Sequence, residues 1–276
     1  MGRKAFKIFN YIFFGLLALV MVYPFWYAFL SSIMPYEDIM GQVLPIFPTA
    51  LDFSAYKQVL EDGILTEAFF VTAASTLIGT AFSIIFTVVG AYVLSIDNLP
   101  GGKIISTIII LTMFFSGGII PMYILLSDLE LTNSFWVYIF PYMLNTVYMF
   151  ILRTSFREVP KSIREAAELD GASELKIFLT IYVPLSMPTI LVILFFYLVD
   201  KWNELYTALY FVSDYKLFTL QAALYNLLNS SSGSGEMVSE QVQYAAVILT
   251  ILPILFVYPF LQKYFTKGVM LGAVKE

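Results

Sequence analysis

Long stretches without a charged residue dominate this sequence and define its predicted elements. Six of them reach or exceed the ~20 apolar residues that a helix needs to cross about 30 Å of hydrocarbon. The predicted spans are residues 9–33, 68–95, 104–127, 132–152, 178–199 and 241–262. A further uncharged stretch, 217–235, is rich in Asn, Ser and Gly and is predicted to be a loop. The pattern predicts an all-α membrane protein with six transmembrane helices, forming a single domain over residues 1–276.

The first predicted span shares one property with a secretory signal peptide, because Arg3, Lys4 and Lys7 precede its apolar run. The apolar region of a signal peptide has only about 7–15 residues and ends at small side chains. This run instead continues through Tyr23 and Trp26. We therefore predict a retained first helix.

Composition agrees with a membrane location and excludes several kinds of site. Hydrophobic residues make up 59% of the chain and charged residues 13%, against about 25% charged in ordinary soluble domains. The sequence has no Cys and no His, which excludes disulfides, thiolate or imidazole metal sites and His-dependent nucleophiles. The net charge is −5 and no basic cluster is typical of nucleic-acid binding. We predict no catalytic residues, no metal site and no nucleic-acid partner.

Basic residues are unevenly distributed between alternate loops. If the N-terminus lies inside, twelve of the 15 Lys and Arg residues fall in inside segments, and only Lys57, Lys201 and Lys216 fall outside. Cytoplasmic loops carry the excess of positive charge in membrane proteins. This distribution predicts that both termini are cytoplasmic.

The densest cluster of charge is the segment 153–176, between the fourth and fifth predicted spans. Pro160 is suited to the first position of a helix. In that helix Ile163, Ala166 and Ala167 are three or four residues apart and are expected to share a face. The segment therefore predicts a short cytoplasmic helix with one small apolar face.

A corner is predicted directly after this helix, because Gly171 suits a left-handed helix end and Ser173 suits the N-cap of a second helix. Two interpretations of the segment are open. Its composition alone favours a solvated loop. A face of alanines beside Arg164 and Glu165 instead suits close approach by another protein, with ion pairs fixing the register.

The same segment resembles the EAA motif of binding-protein-dependent ABC-importer permeases, carried here by Glu165, Ala166, Ala167, Gly171, Ile181 and Pro184. The spacing matches throughout, and the one departure is Val183, where the family usually has Leu. Asp170 beside Gly171, and the stretch Met113–Pro121, are similar to the carbohydrate branch of that family. The resemblance covers nearly the whole chain.

This resemblance implies the six-helix, MetI-like architecture of type I ABC-importer permeases. In that architecture the EAA loop, here 153–176, forms a cytoplasmic coupling helix that docks on an ATPase subunit. The residues implied to couple are Glu165, Ala166, Ala167, Asp170 and Gly171. The implied function is a permease subunit of an ATP-driven importer for carbohydrate, with an oligosaccharide as the expected solute.

The resemblance also implies an assembly in the bacterial cytoplasmic membrane: a second homologous permease, two ATPase subunits and an extracytoplasmic solute-binding protein, surrounded by membrane lipid. ATP and Mg would be used by the ATPase. The nearest approach to a phosphate loop in this chain is Gly102-Lys103, but Asp97 replaces its first Gly and Ile104 its Ser or Thr. We predict that this chain is not an enzyme and binds no cofactor of its own.

A polar segment at the end of the fifth predicted span is the candidate solute path, comprising Asp200, Trp202, Asn203, Glu204 and Tyr206. Aromatic rings stack on the CH faces of sugars, and hydroxyls need hydrogen-bond partners. The alternative is that these residues only mark the outer interface, where Trp and Tyr are enriched.

A second polar break, Ser116, Gly117 and Gly118, lies inside the third predicted span and is also assigned to the path. Its alternative is close helix packing or a kink, the commoner role of glycine pairs in membrane helices. Asn145 is expected to form a hydrogen bond between helices.

Two other functions are alternatives to this one. A secondary transporter would need coupling-ion sites or an inverted repeat, and the sequence offers only the cluster around Asp200. A permease of the same family for another polar solute, such as glycerol phosphate, is also compatible. No residue distinguishes a neutral from an acidic sugar.

Overall fold

The computed structural model describes residues 2–42, 44–97, 99–115, 117–230 and 239–273. Over these residues the chain is helical with irregular connections. The long helices are α1 (Gly2–Ile33), α4 (Ile64–Ser95), α5 (Gly102–Phe114), α6 (Ile119–Asp128), α7 (Thr146–Arg157), α11 (Met187–Trp202), α13 (Leu220–Ser230) and α14 (Glu240–Ala273). The short helices are α2 (Tyr36–Met40), α3 (Ser54–Glu61), α8 (Lys161–Leu169), α9 (Glu174–Ile177), α10 (Val183–Leu185) and α12 (Tyr206–Phe211).

Each of the six predicted spans coincides with a long helix or with a bent series of helices. In the described part of the chain, 3–33 and 64–95 are each long and apolar enough to cross a membrane alone. The count rises to five if each bent pair is taken as one span, and α14 adds a shorter apolar stretch, Glu240–Phe256. Helices predominate because hydrocarbon offers no partner to a free backbone N–H or C=O.

The bend between α9 and α11 follows from proline. The series from α9 to α11 turns by 79° at Ser186, where Pro184 and Pro188 lack the N–H groups that would continue the backbone ladder. A π-helical turn, Phe178–Tyr182, lies shortly before this break and is separated from it by α10. A single wide turn of this kind accommodates an interrupted ladder without ending the helix.

The chain divides into two compact units, 1–67 with 223–253, and 68–222 with 254–276. In the first unit, Leu30, Ile33, Met34 and Ile39 form a small buried cluster. The Gln241 side chain donates to the Asp52 carbonyl at 3.1 Å. This bond connects the start of α14 to the segment before α3.

The second unit contains a large apolar core, formed by the C-terminal end of α4, by α7 and by the series α9 to α11. Its buried members are Ala91, Tyr92, Leu94, Met149, Leu152, Phe156, Val159, Ile177, Tyr182, Ile190, Ile193 and Tyr197. Rings of Tyr92, Phe156 and Tyr182 meet edge to face within it. Ala167 and Ala172 pack against the same core, which therefore supports the charged segment 153–176.

Helix α4 carries a stripe of buried hydroxyl side chains along one face. Its members are at most 5% exposed: Thr72, Ser75, Thr76, Thr80, Ser83 and Thr87. Thr72 Oγ1 accepts a hydrogen bond from the Leu220 N–H at 2.7 Å. Thr87 and Tyr197 share a hydrogen bond of 2.7 Å between their hydroxyls. The stripe fixes which face of α4 meets the rest of its unit.

Candidate functional site

The predicted corner in the charged segment is present. Helix α8 begins after Pro160, which is its N-cap and so lies one residue before the predicted position. Gly171 ends the helix in the left-handed region, at φ +73°. The Gly171 N–H bonds to the Glu168 carbonyl and the Ala172 N–H to the Ala167 carbonyl, each at 3.0 Å. These two bonds form a Schellman motif, which satisfies carbonyls at the helix end.

The second half of the corner also follows the prediction. The Ser173 side chain accepts a hydrogen bond from the Lys176 N–H at the start of α9. Two short helices are thus joined by a fully specified turn, with both ends of the connection capped. This geometry holds α8 at a defined angle to α9.

The two alanines of α8 do not share a face. Ala166 is exposed, whereas Ala167 is partly buried and packs against the core of its unit. The outward face instead contains Ile163, 41% exposed, and Leu169, 90% exposed. Glu165 lies beside them and is exposed, as are Asp170 and Gly171. The sequence argument missed Leu169, although its three-residue spacing from Ala166 places it on the same helix face.

Arg164 connects α8 to two other elements. Its Nε donates to Glu168 at 2.7 Å and its Nη2 to Glu174 at 2.9 Å. Its Nη1 lies 3.5 Å from the Tyr92 hydroxyl on α4, which itself donates to Glu174. Burial by itself lowers the pKa of Arg164, but hydrogen bonds to Tyr182 and Glu168 outweigh it and raise that pKa. The guanidinium is therefore a permanent cation at the centre of this network.

The left-handed conformation of Gly171 gives a first testable prediction. A β-branched side chain at φ +73° is strained although a Cβ would meet open space, so Gly171→Val should destabilise the protein by about 1–2 kcal/mol. Gly171→Asn should cost less, because Asn tolerates this region. Thermal unfolding of the two variants in detergent measures the difference. Equal unfolding temperatures would contradict the conformational explanation.

The polar segment at the end of α11 is divided between outward and inward side chains. Asp200 is exposed and accepts a hydrogen bond from the Tyr148 hydroxyl at 2.7 Å. The Asn203 amide donates to the Val199 carbonyl at 2.9 Å and closes the end of α11. Glu204 accepts from the Thr207 N–H at 3.0 Å, at the start of α12. All three thus have hydrogen-bond partners within the chain, from α7 for Asp200 and from neighbouring residues for Asn203 and Glu204.

Trp202 and Tyr206 differ from these residues. The Trp202 ring meets Phe69 edge to face at 6.0 Å, and its buried Nε1 has no hydrogen-bond partner among the described residues. Tyr206 is 63% exposed and stacks on Tyr210. A buried indole N–H ordinarily finds an acceptor, so Trp202 is the member of the segment with unused hydrogen-bonding capacity.

Lys201 is the residue of this segment that the sequence argument left out of the path. Its side chain is 8% exposed, and its Nζ lies 3.5 Å from the Tyr142 carbonyl. Its stem lies over Gly79 of α4, where a Cβ would stand 2.8 Å from the lysine Cδ. This contact between a buried lysine and a glycine forms only in the tertiary structure. In the sequence, the only sign of it is the glycine at position 79.

The other predicted path residues lie between α5 and α6. Gly117 and Gly118 are exposed, and Gly118 adopts φ +85° before α6. Ser116 lies outside the described residues. Asn145, expected to bond between helices, does so through its backbone, whose N–H donates to the Tyr197 hydroxyl of α11 at 2.9 Å. Its side chain caps its own helix: the Oδ1 accepts the N–H groups of Val147 and Tyr148.

Comparison with known proteins places this geometry in a family. The sequence pattern of the family described as "Binding-protein-dependent transport system inner membrane component" matches residues 100–271, well over half of the chain. The chain belongs to this family. The match includes α8, the Gly171 corner and the polar segment at the end of α11.

Individual members of the binding-protein-dependent family match along their full length. The chain is 34% identical to the "Polygalacturonan/rhamnogalacturonan transport system permease protein YtcP" of Bacillus subtilis (strain 168), covering 100% of both proteins. It is 32% identical to "Protein LplC" of the same organism, over 99% of this chain and 95% of the relative. A solved structure titled "Crystal structure of a bacterial ABC transporter involved in the import of the acidic polysaccharide alginate" contains a chain with TM-score 0.88 and 30% identity.

The match covers 97% of that solved chain and 95% of the present chain. The predicted all-α fold and its MetI-like architecture are confirmed by this likeness. The resemblance drawn from the EAA motif is confirmed as well.

Proposed function

We propose that this chain is a permease subunit of an ATP-driven importer for an oligosaccharide. The observation that carries the proposal is α8, a capped helix whose exposed face holds Ala166 and Leu169 and whose other face packs on the core. Support for the solute comes from relatives whose names refer to polygalacturonan, rhamnogalacturonan and alginate.

In this proposal α8 couples the permease to an ATPase in the cytoplasm. Ala166 and Leu169 enter an apolar groove of the ATPase, because small and large apolar side chains on one face suit close helix docking. Glu165 and Asp170 lie at the rim, where charge fixes register more than affinity. Ala167 and Gly171 act within the permease, one in the core contact and the other in the turn.

The rest of the assembly is proposed on the same basis. One α8 per chain requires a second permease if two ATPase subunits act together, and an extracytoplasmic binding protein delivers the solute. ATP and Mg are used by the ATPase. The described residues contain no group of three acidic side chains arranged to hold a metal ion. Both termini lie in the cytoplasm, because this orientation places twelve of the 15 basic residues in cytoplasmic segments.

The proposal is tested by reconstitution into vesicles with the partner permease, the ATPase and the binding protein. We expect uptake of a labelled oligosaccharide only when ATP is present on the ATPase side. Uptake by this chain alone would indicate a secondary transporter instead. Titrating the binding protein with neutral and uronate-containing oligosaccharides then identifies the solute class, since it selects before the permease does.

Trp202 provides the sharpest test of the solute path. Trp202→Phe keeps a ring against Phe69 but removes the unpartnered N–H, and we expect uptake to fall about fivefold, as for one lost hydrogen bond of ~1 kcal/mol. The matched control is Asn203→Ala, whose amide bonds to α11 and whose loss should change uptake less than about twofold. Unchanged uptake in Trp202→Phe at normal expression would favour an interfacial role.

A further inference from the structure

A cavity of about 1130 Å³ lies beside the segment that joins α4 to α5, on the same end of the helices as α8. Its wall contains four basic side chains, those of Lys103, Arg153, Arg157 and Lys161. The acidic residue of the wall is Asp97. The apolar part of the wall is formed by Leu94, Leu99 and Ile104. The proposed coupling mechanism uses none of the four cations.

The positive charge of this cavity is only partly neutralised. Lys161 pairs with Asp97, and that pairing lowers the pKa of the Asp97 carboxyl. Among the described residues neither Lys103 nor Arg157 forms an ion pair. Arg153 donates its Nε to the Leu94 carbonyl at 2.7 Å. Burial, together with the charge of Arg157, lowers the pKa of Arg153.

Hydrogen-bond donors complete the lining. Helix α5 starts at the cavity with Gly101 as its N-cap, in the left-handed region, and no side chain caps its first turn. The Gly102 N–H bonds to the Leu99 carbonyl at 2.9 Å, which leaves the N–H groups of Lys103 and Ile104 as the donors of this turn. The N-terminal N–H groups of a helix favour anions. Ser106 is 7% exposed, lines the cavity, and its Oγ has no hydrogen-bond partner among the described residues. A buried hydroxyl without a partner is costly, and an anion in the cavity would supply one.

We propose that this cavity binds a phosphate group, carried by an anionic phospholipid or present as the free ion. Arg157 and Lys103 provide the charge, and the first turn of α5 and Ser106 provide neutral donors. Planar Arg forks and helix N-termini are both well matched to phosphate oxygens.

The apolar surface next to the cavity favours the lipid as the source. Ile104, Ile108 and Leu111 are exposed by 68%, 57% and 48%. Their spacing of four and three residues places them on one face of α5, which begins at the cavity. Acyl chains attached to a headgroup in the cavity would cover this face. The membrane position of the cavity rests on the proposed function, with α8 on the cytoplasmic side.

The cavity is connected to α8 through a second, smaller cavity. A second cavity of about 500 Å³ shares Ile96, Asp97, Arg157 and Lys161 with the first, and its wall also includes Glu165 of α8. Lys161 is the first residue of α8. A phosphate near Lys161 competes with Asp97 for the same ammonium group, so occupancy changes how α8 is held at its start.

The test uses the assembled transporter, purified in detergent and exchanged into nanodiscs of phosphatidylcholine with or without phosphatidylglycerol. Native mass spectrometry counts the phosphatidylglycerol retained per complex. We expect the double variant Lys103→Gln/Arg157→Gln to retain at least fivefold less than the natural sequence, and Ser106→Ala to retain about half. The control is Lys176→Gln, an exposed basic residue of α9 outside the cavity wall, which should leave retention unchanged.

The source of the phosphate is distinguished by a second arm with inorganic phosphate alone. Thermal stabilisation of the natural sequence by 10 mM phosphate, absent in the double variant, together with no lipid retention, would assign the site to the free ion. Equal retention of phosphatidylglycerol by all variants, with no effect of phosphate, would refute the proposal. Loss of the ATPase from the double variant at unchanged lipid retention would also refute it, since the cations would then contact protein. Failure of the natural subunits to assemble at all would count against the proposed function instead.

Discussion

Leu169→Ala is expected to weaken binding of the ATPase to the permease by about tenfold to a hundredfold. Leu169 is 90% exposed on α8, and full burial of a leucine side chain is worth ~1.5–3 kcal/mol, where 1.4 kcal/mol corresponds to about tenfold. The measurement is the dissociation constant between the solubilised permease pair and the ATPase. Transport should fall in parallel, because an unbound ATPase cannot drive the permease.

Leu175→Ala is the matched control for this change. Leu175 is also an exposed leucine, at 65%, but it lies on α9 beyond the Gly171 corner. We expect its replacement to leave ATPase affinity within about twofold, since it lies outside the face formed by Ala166 and Leu169. Similar losses in both variants, or none in Leu169→Ala, would show that α8 does not dock through this face.

Arg164→Met is expected to separate ATP hydrolysis from transport. The substitution leaves the exposed face of α8 unchanged but removes the bonds to Glu168, Glu174 and Tyr92. Charge-assisted hydrogen bonds of this kind contribute ~1.5–3 kcal/mol, and about half-exposed partners reduce that value. We therefore expect the ATPase to bind normally while solute transported per ATP falls about tenfold.

The measurement is uptake and phosphate release in the same vesicles. Lys176→Met is the control, because it removes one positive charge from α9 without touching the network around Arg164. Arg164→Lys should recover part of the ratio, since one ammonium cannot reach three acceptors with the geometry of a guanidinium. If Arg164→Met transported the normal amount of solute per ATP, this network would not take part in coupling ATP hydrolysis to transport.

Local backbone chemistry explains why the corner of the charged segment 153–176 was predictable. A left-handed glycine and a serine N-cap depend on a few neighbouring residues, and both Gly171 and Ser173 are found in these roles. Which of the two alanines of α8 is buried could not be predicted in the same way. Ala166 and Ala167 are equivalent in the sequence, and the position of the core alone decides which one is buried. An Ala167→Asp variant thus tests folding, whereas Ala166→Asp tests docking.

The polar segment at the end of α11 shows the same limit. Asp200, Asn203 and Glu204 are the residues that a sugar would be expected to contact, yet each already has a hydrogen-bond partner within the chain. The inward side chains are Lys201 and Trp202, and their surroundings come from α4, distant in the sequence. Composition indicated a polar site here, but only the packing of α11 on α4 determines which side chains turn inward.

The stripe of hydroxyls on α4 restricts the ways in which this helix can move during transport. Rotation of α4 about its own axis would break the hydrogen bonds of Thr72 to Leu220 and of Thr87 to Tyr197, at a cost of ~1–3 kcal/mol for each hydroxyl that loses its partner. Tilting or translation together with α11 keeps the hydroxyl contact between Thr87 and Tyr197. In the proposed transport cycle we therefore expect α4 to keep its azimuth, so that spin labels along this helix should change in distance from labels on the partner permease but not in lipid exposure.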